Sequence, residues 1–167
     1  MKKDVRLYNV IFPVWLLWLF PQVFLIVAPA NLLVDCLVLT LALLALKHQN
    51  KWAVVKKLWW KFWLLGFLAD LIGVLVLLPG IFLPDLLAHA PWSYDMSMAM
   101  IANPFLSPAA FLWVLAGVAL AGVCIYFFDQ RAMKKCDLLT AHEKRVVALT
   151  MAVVTAPWLF FIPLYWP

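Results

Sequence analysis

Basic residues are missing from most of this chain. Its thirteen Lys and Arg fall into three short clusters, and the long apolar stretches between them hold none. The clusters are Lys2, Lys3 and Arg6; then Lys47, Lys51, Lys56, Lys57 and Lys61; then Arg131, Lys134, Lys135, Lys144 and Arg145. The stretches around 28–31 and 84–103 and the C-terminal segment carry no basic residue. Such an alternation arises from an odd number of membrane crossings whose basic loops stay in the cytoplasm. Charge is scarce overall: 13% of residues are charged and 68% are hydrophobic, against about 25% and roughly 45–50% in soluble domains. Too few polar groups remain to cover a water-facing surface, so lipid is the natural solvent.

Other absences narrow the chemistry. Cys36, Cys124 and Cys136 form no CxxC pair, which excludes a self-contained disulfide framework. His48, His89 and His142 lie between the apolar runs, which argues against haem held in the membrane by paired histidines. Ser-His-Asp, HExxH, Walker A and Rossmann patterns are absent, and no cofactor is expected. The net charge of +5 sits beside hydrophobic spans rather than along a groove, so anionic headgroups fit it better than nucleic acid.

The fold expected is an all-α bundle of about five transmembrane helices forming one polytopic domain over 1–167. The spans fall at about 8–28, 31–46, 58–83, 104–128 and 144–162, with the N-terminus cytoplasmic and the C-terminus external. Lys2 and Lys3 before an apolar run, with Ala28-Pro29-Ala30 after it, are similar to a signal peptide. The run from Leu7 to Val27 is longer than a signal core, so it is read as a retained anchor. Pro29-Ala30-Asn31 is expected to turn outside the membrane. Trp52, Trp59, Trp60 and Trp63 interleave with lysines, as in a headgroup-level belt. Ser107-Pro108 is a cap followed by a first-turn proline, and Thr140-x-x-Glu143 is a capping box opening the last span. Charge asymmetry places the chain in a bacterial-type cytoplasmic (inner) membrane.

Asp35 and Asp70 are the candidate functional residues. Asp35 stands ~18 Å along a helix from Lys47, and Asp70 stands ~14 Å from Lys61. Both therefore fall near the middle of the layer, where a charged carboxylate costs ~2.5–3.5 kcal/mol. No Lys or Arg within the spans can pair with them. Protonation, a shared proton, or hydrogen bonds to Asn31, Thr40 or carbonyls would resolve the charge. One reading is a proton or cation site; the other is neutral acids joining helices.

Gly66 and Gly73 flank Asp70 on one helical stripe. Ala110, Val114, Gly117, Ala121 and Cys124 make a second stripe, with Gly117-x-x-x-Ala121 as its small-residue element. The two stripes suit each other, and an internal contact between them is expected. Met96, Met98 and Met100 alternate in an external stretch. They read either as a soft-sulfur copper site or as flexible apolar filler. Asn103-Pro104-Phe105 is similar to the Asn-Pro-Ala corner of water channels, but those need two copies, and here the motif reads as a cap. Signal peptidase II also carries two aspartates in a chain of this size. Its Asn- and Gly-containing blocks are absent around both.

Three functional classes follow: a permeation or transport component with an intramembrane carboxylate layer, a non-catalytic assembly or accessory subunit, and an intramembrane enzyme using paired aspartates. Expected partners are the lipid bilayer, anionic headgroups at the cytoplasmic face, and a homo-oligomer or a membrane partner protein.

Overall fold

The computed structural model describes residues 21–86 and 93–164. The first part of the expected first span and the chain ends lie outside the described residues. Five helices follow in order: α1 (Pro21–Ala45), α2 (Lys51–Leu86), α3 (Ser93–Ala102), α4 (Pro108–Met133) and α5 (Ala141–Val154). Short 3-10 turns follow α3 at Pro104–Leu106 and α5 at Trp158–Phe161. Four segments are long and apolar enough to cross a membrane: Phe24–Ala45, Lys51–Phe82, Pro108–Met133 and Ala141–Phe161. Lipid suits their outer faces, where Leu25 is 75% and Leu33 71% exposed.

The expected turn at Pro29-Ala30-Asn31 does not form. Residues 21–28 and the second span make one helix, α1, which runs through Pro29. A proline removes one donor and bends the axis, which a membrane helix tolerates when neighbours satisfy the opened backbone. The carbonyl that Pro29 leaves without a helical donor is that of Leu25; close by, the Trp63 indole N–H of α2 donates to the Ala28 carbonyl at 2.9 Å and ties α1 to α2 beside the proline. Indole donors reach backbone carbonyls near prolines at two further places. Trp113 donates to the Val76 carbonyl at 2.7 Å, next to the Leu75 carbonyl that Pro79 leaves open, and α2 runs to Leu86, slightly past the expected end at about 83. Trp158 donates to Val153 at 2.9 Å, whose carbonyl loses its helical donor to Pro157. There α5 does stop, at Val154.

α1 closes on Lys47, the one described non-glycine residue with positive φ (54°). His48 N–H then reaches the Leu43 carbonyl and Lys47 N–H the Leu44 carbonyl, the paired bonds of a left-handed helix end. Ser107 caps α4, its hydroxyl accepting from Ala110 N–H, with Pro108 at the first position. α5 opens on the Thr140–Glu143 capping box, with both reciprocal bonds present. Helix α2, at 36 residues, is ~54 Å long, more than the ~30 Å of hydrocarbon requires. Trp52, Trp59 and Trp60 are exposed on its first turns.

Helix α2 packs against α1, α3 and α4, and α5 against α4 and α1. Lys57 Nζ donates to the Lys135 carbonyl at 3.4 Å, so the second and third basic clusters share one end of the bundle. Two buried clusters fill the interior. Leu39, Leu43, Leu58, Phe62, Ile125 and Met151 belong to the one nearer the basic end. Val74, Leu77, Met100, Val114 and Phe160 belong to the other. Between them on α2 lies the stretch from Asp70 to Gly73.

Candidate functional site: a file of buried acids

Asp35 on α1 is 5% exposed, and its Oδ2 has no hydrogen-bond partner. Gly66 on α2 leaves it room, since a Cβ there would stand 3.6 Å from that oxygen. Asp70 sits one turn further along α2. The Asn31 side chain of α1 lies within interaction range of its carboxylate, yet its Oδ1 is buried and unpartnered. Asp129 on α4 is 2% exposed, with Oδ2 also unpartnered. Asp35 interacts electrostatically with both Asp70 and Asp129. Two further acids, from α2 and α4, therefore lie within electrostatic reach of the acid on α1.

Among the described residues no cation pairs with these acids. Among the described residues the ion pair found is His48 Nδ1 with Glu143 Oε1, at 2.9 Å, and it joins the α1–α2 turn to the start of α5. The acids hold no cluster of three His, Cys, Asp or Glu suited to a metal ion among the described residues. Each orphaned oxygen costs ~1–3 kcal/mol of unrepaid desolvation, and charge in hydrocarbon costs more. The arrangement is stable when the acids carry protons or admit a small cation.

Asp129 escaped the sequence reading because it stands beside Arg131, where the fourth span was expected to end. α4 instead continues to Met133. The signal was present in the small-residue stripe: continuing from Ala121 in steps of four gives Ile125, Asp129 and Met133, all buried. A four-residue step keeps one helix face.

The remaining candidates are placed as follows. Thr40 donates to the Cys36 carbonyl of its own helix at 2.6 Å, so its proton is committed away from the acids. Gly73 and Gly117 face each other: a Cβ on Gly73 would meet the Gly117 carbonyl at 3.3 Å and Ala121 Cβ at 3.2 Å, and one on Gly117 would meet Leu77 at 2.9 Å. The external stretch expected to be irregular contains α3, which divides the three thioethers. Met96 and Met100 are buried while Met98 is 43% exposed, because alternate positions on a helix turn to different faces. Met100 lies over Gly80, where a Cβ would come within 2.4 Å of its sulfur. Asn103 accepts from Phe105 N–H at 3.0 Å, capping the turn that follows α3.

Three surface grooves lie elsewhere. An apolar one of about 460 Å³ runs along α4 and α5, a basic one of about 470 Å³ lies at the α4–α5 junction, and one of about 260 Å³ lies between α2 and α4. None of the three is lined by Asp35, Asp70 or Asp129. Residue chemistry must carry the functional reading, since no family model, curated protein or solved structure matches this chain.

Proposed function

We propose that this small multi-pass membrane protein is a permeation or transport component that moves a proton or a small monovalent cation through the Asp129–Asp35–Asp70 file. The observation that carries the reading is the pair of unpartnered oxygens on Asp35 and Asp129, each side chain more than nine-tenths buried. Acids placed in series across three helices are the usual components of an intramembrane proton relay. Asp35 is the residue through which both neighbours communicate. Asn31 lies beside Asp70.

The orientation that goes with this reading puts the basic end in the cytoplasm of a bacterial-type cytoplasmic membrane. Asp129 is then the entry on the cytoplasmic side. A cytoplasmic N-terminus needs a further crossing by residues before Pro21.

A second reading is an accessory subunit in which the same acids are neutral interhelical glue. It is favoured by the closeness of the Asn31 side chain to Asp70 and by grooves that do not open onto the acids. Purified protein in liposomes separates the two when ion flux and thermal stability are measured together for the Asp35→Asn, Asp70→Asn double variant. Asn preserves volume and hydrogen bonding but cannot carry a proton. Transport predicts lost flux with stability kept; glue predicts no flux in either protein.

A further inference from the structure

We infer that the α4–α5 face holds a specific anionic phospholipid, its headgroup in the basic groove and an acyl chain in the adjoining apolar trough. The basic groove is lined by Arg131, Lys134, Lys144 and Arg145, with Gln130 at its floor. Gln130 Nε2 donates to the Lys144 carbonyl at 3.2 Å, which fixes the two helix ends against each other. No carboxylate lines the groove. Glu143 is held by His48 and by the Thr140 cap, Asp129 is buried toward Asp35, and Asp137 is exposed on the loop. Four cations converge with no acid of their own to neutralise them.

The apolar trough begins where the basic groove ends, and Phe127 lines both. Small residues line it, Ala119 and Gly122 on α4 with Ala152 on α5 and Ala156 just beyond that helix. A Cβ on Gly122 would lie 3.2 Å from the Ala152 carbonyl, so the helices touch at the floor and leave a furrow outside it. From Arg131 to Leu115, at its far end, is sixteen residues, or ~24 Å along α4. That exceeds the ~15 Å of one leaflet, so one chain can lie in it along its length. A basic pocket between helix ends is the known geometry for anionic headgroups. A soluble phosphate would use the cations and leave the trough empty; a neutral lipid would do the reverse. Only an anionic phospholipid fits both.

The full-length protein in detergent is titrated with phosphatidylglycerol, phosphatidylcholine or glycerol phosphate, and retention is read by native mass spectrometry. Phosphatidylglycerol is expected to be retained as a one-to-one adduct and the other two lost. Arg131→Gln with Arg145→Gln should weaken retention about thirtyfold, and Ala119→Trp, on an exposed position that fills the trough, should also weaken it. Lys51→Gln with Lys56→Gln removes equal charge from the same end and should leave retention unchanged. Equal loss in both double variants overturns the site in favour of diffuse surface charge. Equal retention of phosphatidylcholine or glycerol phosphate, or full retention in Ala119→Trp, overturns the phospholipid assignment.

Discussion

Replacing Gly73 with alanine adds one methyl group where α2 and α4 approach closely, backbone to backbone. That carbon would lie 3.0 Å from Phe160 Cε2, 3.2 Å from Ala121 Cβ and 3.3 Å from the Gly117 carbonyl. Carbon atoms pack best at ~3.5–4.0 Å, so α2 and α4 must part by several tenths of an ångström or Phe160 must leave its site. Phe160 is 3% exposed and ends a constrained turn, so it has little freedom to yield. Overpacking of this kind costs ~1–3 kcal/mol. Gly66→Ala supplies the control, because its added carbon meets only Asp35 Oδ2 at 3.6 Å, an ordinary contact. Alanine also favours the helix by ~1 kcal/mol over glycine, so Gly66→Ala is expected to be neutral or slightly stabilising. Thermal unfolding in detergent, followed by helical circular dichroism with size-exclusion chromatography beside it, reads both variants. The reasoning is refuted if Gly73→Ala unfolds at the same temperature as Gly66→Ala. It is equally refuted if Gly73→Ala changes the oligomer while the monomer stays as stable as before.

Two further predictions concern the frame around the acids. Trp113→Phe keeps an aromatic ring but removes the indole donor to the Val76 carbonyl; unfolding stability should fall by ~0.6–1.7 kcal/mol, and no change would mean that this bond adds nothing to the α2–α4 contact. A reporter inserted at Gln49 should be cytoplasmic and one joined after Trp166 external; finding both on one side would overturn the orientation.

What the sequence made legible was local and periodic. The Ser107-Pro108 start and the Thr140–Glu143 box could be read directly, because a cap is a short-range hydrogen bond with a fixed spacing. The small residues at Gly73 and Gly117 were visible by size. What stayed hidden depended on partners in other helices. Pro29-Ala30-Asn31 has the composition of a turn, yet α1 passes through it, with Trp63 of α2 bonded to the Ala28 carbonyl alongside. Trp63 was assigned to the headgroup belt with its neighbours, though it is half-buried and bonds inside the layer. α3 was missed because ten residues of alternating Met carry no helical period of polarity. Asp129 falls just past the expected end of the fourth span at about 128, and only the continuation of α4 to Met133 puts it on the buried face.

The account's central claim is that Asp35 and its two neighbours act as one conducting file, and Asp129 tests it most directly because it enters the file from the third helix. Protein is reconstituted into liposomes, and proton and Na⁺ or K⁺ flux is recorded under an imposed gradient for the parent, Asp129→Asn and Asp35→Asn. Circular dichroism confirms the fold of each. The account predicts flux in the parent and a fall to the level of protein-free liposomes in both variants, with helix content unchanged. Full flux in Asp129→Asn, or none in the parent, would contradict it.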